Sequence, residues 1–254
     1  MQHRDSPRAL TLRRSEYEMN IGLLECDHVL DKFRHLAGDY RDMFAALFAA
    51  GESSLTLRPF DVCNGELPDS PDECDGWLCT GSRFSAYDDV AWIHELKGFV
   101  RRTAEARRPF VGICFGHQVL AEALGGKVAK AAQGWGVGAG EIEIIRPESW
   151  MQPPQTACRL QYMHQDQVQQ LPEGAVVLGR SAHCPVAMFR IEDSLLGIQA
   201  HPEFTADYEA ALLRDRVARI GAERVQAGLE SLHLPTDEAL VTRWMAAFLQ
   251  AGTR

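Results

Sequence analysis

Four apolar residues, Phe110-Val111-Gly112-Ile113, lead straight into Cys114, and from Gly116 a helical pattern runs to Leu124 and is closed by Gly125-Gly126. No other feature of the chain restricts its fold so narrowly. A strand this short and wholly apolar is buried on both faces, as in a parallel sheet covered by helices on either side. The same alternation precedes it. Ile21 to Glu25, Leu55 to Val62 and Gly76 to Thr80 read as strands, with a turn at Pro68 to Pro71. Tyr40 to Ala50 reads as a helix with Phe44, Leu47 and Phe48 on one face and Gly51 at its end. Val90, Ile93, Leu96, Val100 and Ala104 space a second helix, ended by Arg108-Pro109. The expectation is an α/β chain with a doubly wound, mostly parallel sheet flanked by helices, its site at the C-terminal ends of the strands.

Beyond Gly126 the pattern changes. Gly140 to Ile145, Arg159 to Tyr162, Ala175 to Arg180, Val186 to Arg190 and Leu195 to Gln199 read as strands, a succession that implies antiparallel additions to the sheet. Thr236 to Leu249 reads as a closing helix with Leu240, Trp244, Ala247 and Phe248 facing inward. With no internal repeat and no long linker, residues 19–254 are expected to form one domain. Residues 1–18 are polar and Arg-rich, and are expected to be an unstructured leader.

The net charge of -9 argues against a nucleic-acid surface, which needs clustered Lys and Arg. The seven cysteines are scattered and odd in number, unlike a disulfide framework or a zinc ribbon, so a reducing cytoplasm is the natural location. No apolar run approaches the roughly twenty residues that span a bilayer, and the N-terminus carries no apolar signal segment.

Gly112-x-Cys114-x-Gly116 between strand and helix has the form of a nucleophile elbow, in which small flanking residues let the chain turn sharply and present the central side chain. A thiol at a helix N-terminus is favoured as thiolate, and Phe115 N–H there is a candidate oxyanion donor. Taken alone, Cys114 is as well explained as a small apolar residue at a buried strand end. A nucleophilic thiol needs a base, and the base needs an orienter. Gln199-Ala200-His201-Pro202-Glu203, directly after the apolar run Leu195 to Ile198, supplies both types at the same sheet edge.

Together the two motifs resemble the class I glutamine amidotransferases, a family that hydrolyses glutamine with Cys, His and Glu. The segment Gly112 to Gln118 is similar to that family's most specific signature, and Ala200-His201-Pro202-Glu203 to its second. Met163 to Val168 resembles a third segment between them. The resemblance implies a flavodoxin-like amidotransferase fold, with Cys114 as nucleophile, His201 as general base and acid, and Glu203 as its orienter. It further implies that Gln118 and the main chain at Gln165 and Asp166 hold the glutamyl end, and that Gly81 or Ser82 joins Phe115 in the oxyanion hole; His164 either lines the same pocket or simply packs. No metal and no organic cofactor are implied.

The loop Thr80-Gly81-Ser82-Arg83-Phe84-Ser85-Ala86-Tyr87-Asp88-Asp89 departs from the family's usual Gly-Gly-Pro or Gly-Pro-Gly. Thr-Gly-Ser followed by an aromatic and paired acids, with Gly134-Trp135-Gly136 further on, is more similar to the γ-glutamyl peptidase branch and its stand-alone bacterial relatives. Two enzymatic readings stand side by side: a hydrolase releasing glutamate and an amine or ammonia from a small γ-glutamyl substrate, and a glutaminase subunit delivering ammonia to a separate synthetase. The chain shows no Gly-rich phosphate loop that would make it its own synthetase. A non-catalytic regulatory relative is a third reading. An ester-cleaving α/β-hydrolase, with Asp166 as the acid behind His201, is a fourth. Among other residues, Cys26-Asp27-His28 offers one ligand pair, short of the three or four ligands of a zinc site, His183-Cys184-Pro185 reads as a turn, and His117 points away from the thiol.

Overall fold

The computed structural model describes residues 19–51 and 55–252, so the expected leader lies outside the described residues. The elements in chain order are β1 (Met19–Leu24), α1 (Arg34–Ala37), α2 (Tyr40–Ala50), β2 (Leu55–Phe60), β3 (Gly76–Cys79), α3 (Ala91–Glu105), β4 (Phe110–Ile113) and α4 (Phe115–Ala123). There follow β5 (Lys127–Lys130), β6 (Gly136–Ile144), β7 (Ala157–His164), β8 (Asp166–Gln170), β9 (Ala175–Arg180), β10 (Met188–Ile191) and β11 (Leu195–Ile198). The chain closes with α5 (Ala206–Asp215), α6 (Val217–Ile220), α7 (Ala222–Ser231) and α8 (Glu238–Ala251).

The sheet runs β2-β1-β3-β4-β11-β10-β9-β6-β7. Its first five strands are parallel, and from β10 onward every pairing is antiparallel. This is the expected architecture. β3, β4 and β11 are buried at every residue, as strands covered on both faces must be. β2 at the sheet edge alternates exposed and half-buried residues, and tolerates Pro59 because an edge strand can forgo a ladder N–H.

Two apolar layers sandwich the sheet. Phe44 and Phe48 of α2 and Trp244, Met245, Phe248 and Leu249 of α8 pack with Ile21, Leu23, Val111, Ile113 and Ile198. On the other side Ile93, Leu96, Phe99 and Val100 of α3 and Val119 and Leu120 of α4 pack with Leu24, Trp77, Phe110 and Leu195. The strand order reverses between β1 and β3, and the loops after β1, β3, β4 and β11 open at that switch point, where α/β sheets carry their sites.

Three features differ from the sequence expectation. β6 begins at Gly136 rather than Gly140, and β7 runs on to His164. A small second sheet pairs β5 with β8, a strand whose alternation is hidden because the residue beside Val168, the polar Gln167, is buried as well. α5, α6 and α7 fill residues 206–231, and their apolar side chains Tyr208, Leu212, Leu213, Ile220 and Val225 form a third cluster with Val29, Tyr40, Met163 and Phe204. Among the described residues, no helix is long and apolar enough to cross a membrane.

Candidate active site

Cys114 joins β4 to α4 with φ of 52°, a left-handed conformation that a non-glycine residue holds only when its surroundings enforce it. Close packing enforces it here. A Cβ on Gly112 would lie 2.4 Å from the main chain of Gly116, and one on Gly116 would lie 2.5 Å from the Cys79 carbonyl oxygen. Only glycine fits at either position, so the Gly-x-Cys-x-Gly spacing is a steric requirement of strand, turn and helix meeting. Cys114 N–H donates to the Ile198 carbonyl at 2.8 Å, which fixes the turn to the end of β11. The chain leaving β11 therefore passes beside the thiol.

His201 lies on that chain, held by its N–H to the Gln161 carbonyl at 2.8 Å. Its ring is buried, stacks on Phe204 with centroids 3.8 Å apart, and presents Nδ1 to Glu203 Oε1 at 2.7 Å. Glu203 is itself buried. Burial disfavours the imidazolium, but the Glu203 charge, then the charge of Cys114 and hydrogen bonds to both groups, outweigh it and raise the His201 pKa to about 10. The His201 ring thus bonds the Glu203 carboxylate on one side and shares its surroundings at Gly81 with the Cys114 side chain. A hydrogen-bonded imidazole between the two can carry a proton from sulfur and return it to a leaving group.

Gly81 borders both side chains, since a Cβ there would be 2.8 Å from His201 Cε1 and 3.7 Å from Cys114 Cβ. Phe115 occupies the first helical position, whose N–H has no intrahelical acceptor. The Ser82 hydroxyl donates to the Cys26 carbonyl at 2.8 Å and accepts from Phe84 N–H, so it ties its loop to the end of β1, which leaves the Ser82 main chain as the group that can face an oxyanion. Arg83 locks the same loop: its N–H and guanidinium both bond the Asp27 carboxylate. Further along, Ser85 Oγ and Tyr87 Oη donate to the two oxygens of Asp166 at 2.6 and 3.1 Å.

Asp166 therefore holds the loop and not the imidazole, which removes the basis for the ester-hydrolase reading. Gln118 Nε2 donates to the Asp166 carbonyl at 2.8 Å and to Gln199 Oε1 at 3.1 Å. His164 Nδ1 lies 3.1 Å from the same carbonyl, and burial lowers the His164 pKa to about 3, leaving a neutral ring. Cys114, Gln118, His164, Gln165 and Asp166 line a cavity of about 120 Å³ together with Ser82, Met163 and Trp135. Beside Arg83, which Asp27 holds, Lys130, Arg216 and Arg219 also line it, three cations that nothing local in the sequence marks. Their sum is a small pocket suited to an anionic ligand.

His117 is buried away from the thiol, against Phe189, with its pKa lowered to about 3 by burial. His183 Nε2 lies 3.2 Å from the Gly134 carbonyl, and Cys184 is fully buried, in keeping with a structural turn. Cys26 turns inward toward Cys79, 3.4 Å away.

The glutamine amidotransferase class-I family model matches residues 55–220, well over half of the chain. The chain belongs to this family. It is 36% identical over 177 residues to gamma-glutamyl peptidase 4 of Arabidopsis thaliana, covering 67% of this chain and 70% of that one. Gamma-glutamyl peptidase 2 of the same plant is 32% identical, covering 74% and 76% of the two chains. A glutamine-hydrolyzing GMP synthase subunit of Methanopyrus kandleri is 37% identical over 123 residues, which span 48% of this chain and 62% of that one. A glutamine amidotransferase from Thermotoga maritima shares the fold with a TM-score of 0.72 over 93% of this chain and 99% of that one, at 19% identity.

Proposed function

We propose that this amidotransferase-family chain is a cysteine-dependent amidohydrolase that cleaves the γ-glutamyl amide bond of glutamine or a γ-glutamyl conjugate. The observation that carries the reading is that the constrained turn at Cys114 and the buried His201 ring both border Gly81, with His201 Nδ1 bonded to Glu203 at 2.7 Å. The name and coverage of the Arabidopsis gamma-glutamyl peptidases support the γ-glutamyl hydrolase branch. Cys114 thiolate attacks the γ-carbonyl, and main-chain N–H groups of Gly81 and Phe115 receive the developing oxyanion. His201 imidazolium gives its proton to the departing amine or ammonia, leaving a glutamyl thioester on sulfur. Water deprotonated by His201 then attacks the thioester and releases glutamate.

Gln118, His164 and the main chain at Gln165 and Asp166 hold the glutamyl end, with Lys130, Arg216 and Arg219 favouring its carboxylate. No step calls for a metal or an organic cofactor. The similarity to a GMP synthase component favours a second reading, a glutaminase that delivers ammonia to a separate synthetase. Ammonia release from glutamine measured beside amine release from γ-glutamyl dipeptides and aryl amides separates the two. The proposal expects turnover of γ-glutamyl amides by the chain alone, abolished in Cys114→Ala. Activity confined to glutamine and seen only with an added synthetase contradicts it.

A further inference from the structure

Side chains outside the proposed reaction gather at the carboxyl ends of β1 and β2. His28 Nε2, an Asp61 carboxylate oxygen and Cys63 Sγ, three donors of different kinds, lie within 4.8 Å of one another. Nε2 is 3.0 Å from Asp61 Oδ1, and Sγ is 3.4 Å from the same oxygen. Behind the ring, Nδ1 lies 3.0 Å from Asp39 Oδ2. The other Asp39 oxygen is pinned by Val29 N–H at 2.8 Å and Tyr40 N–H at 2.9 Å, where it caps α2. A fixed carboxylate on Nδ1 keeps that nitrogen's proton in place, so that Nε2, on giving up the proton it shares with Asp61, presents its lone pair toward Asp61 and Cys63, the arrangement found behind metal-bound histidines.

The backbone brings the donors together in advance. Glu25 N–H bonds the Phe60 carbonyl at 2.9 Å and Cys63 N–H bonds the Glu25 carbonyl at 3.2 Å, so the two loops that carry them are zipped side by side. All three donor residues are half-buried, shielded yet open to an entering ion. Without an ion the Cys63 thiol donates to Asp61 Oδ1 and Asn64 Nδ2 donates to both Asp61 oxygens at 3.1 and 3.0 Å; the thiol adds to imidazole and carboxylate a third ligand type within reach of one point.

We infer that His28, Asp61 and Cys63 form a zinc site, with Asp39 as the outer carboxylate and water as the fourth ligand. A nitrogen, oxygen and sulfur set suits Zn²⁺, whereas Mg²⁺ and Ca²⁺ take oxygen ligands. Zn²⁺ replaces the proton on Nε2 and the proton on the thiol, and the donors close in to bonds of about 2.0–2.3 Å. The folded chain thus supplies, from residues 61 and 63, the ligands that Cys26-Asp27-His28 lacks by itself. Asp27, the residue before His28, holds Arg83, so the ion braces the segment on which the Gly81 loop hangs.

The test uses the full chain carrying Cys114→Ala, which removes the thiol beside His201. Zn²⁺ is titrated by calorimetry in buffers of different ionisation heat, and Co²⁺ is followed by absorption. One equivalent is expected, with proton release and a thiolate-to-cobalt charge-transfer band. Cys63→Ser and His28→Gln should each remove tight binding, and Cys63→Ser should remove the band. Asp39→Asn, whose amide still caps α2, should weaken binding about 10- to 100-fold. No saturable binding overturns the site and leaves a plain ion pair, as does binding that Cys63→Ser does not change. Thermal unfolding of each metal-free variant checks its fold; if His28→Gln unfolds, Cys63→Ser still decides the matter.

Discussion

Two segments meet at the candidate site, the turn at Cys114 and the loop from Gly81 to Asp88, and they are built by opposite means. The turn is fixed by main chain against main chain, with Gly112, Gly116 and the Cys79 carbonyl too close for any side chain to intervene. The loop is fixed by polar tethers between its own side chains and groups elsewhere: Arg83 to Asp27, Ser82 to the Cys26 carbonyl, Ser85 and Tyr87 to Asp166. Steric fixing admits almost no substitution. Polar tethers can be exchanged one at a time, so a family can keep one thiol geometry while altering the wall that faces it. In this chain the loop is also where the sequence departs from the usual family pattern.

The largest expected effect falls on the turn. Gly112→Ala places a methyl 2.4 Å from the Gly116 main chain, and should cost about 1–3 kcal/mol or more of stability and abolish turnover. Unfolding midpoints and hydrolysis rates check this; an active Gly112→Ala protein would break the contrast between the two segments. Glu203→Gln keeps the shape but removes the main charge that raises His201, and should lower kcat roughly 100-fold or more. Wild-type activity should fall as pH rises through about 10, where the imidazolium that protonates the leaving group is lost, and in Glu203→Gln that alkaline limb should move to lower pH. The sign is the same for stability: the His201 value lies above the ordinary 6.5, so its stabilising protonation is complete below that pH and is lost toward about 10.

Loosening a tether should do less. Asp27→Asn weakens the charged bonds to Arg83 and should lower kcat/KM about tenfold while the protein stays folded, because one charge-assisted hydrogen bond contributes about 1.5–3 kcal/mol. An effect as large as that of Gly112→Ala would show the loop to be no more adaptable than the turn. The smallest effect belongs to Glu209, buried near the His201 and Glu203 pair and bonded to Gly138 N–H at 3.2 Å. Burial raises its pKa from 4.5 to about 7, so the stability tied to its protonated form is present below 4.5 and lost as pH rises through about 7. Glu209→Gln keeps the acceptor without the charge, and its unfolding midpoint should gain on wild type across that range; parallel curves would contradict this.

The sequence made legible what depends on short-range pattern. Tyr40–Ala50 and Ala175–Arg180 fall where apolar spacing places them, and the apolar run before Cys114 is a buried parallel strand. The Cys114, His201 and Glu203 neighbourhood was readable because each side chain stands at the end of a recognisable strand or just beyond it. Tyr208, Leu212, Leu213 and Val225 stand at helical spacing in residues 206–231, so the helices there were within reach of periodicity alone. The partners of Asp166, the cations at the pocket wall and the approach of Cys63 to His28 had no local signature. Each depends on contacts across dozens of residues, which only the register of the sheet determines.

The central claim is that Cys114 takes the glutamyl group onto its sulfur. Rapid acid quenching during turnover of a γ-glutamyl amide, followed by mass spectrometry of the intact and digested chain, tests it most directly. The account predicts a mass gain of one glutamyl unit on the peptide bearing Cys114, absent in Cys114→Ala. Turnover without that adduct, or an adduct on another residue, would contradict it.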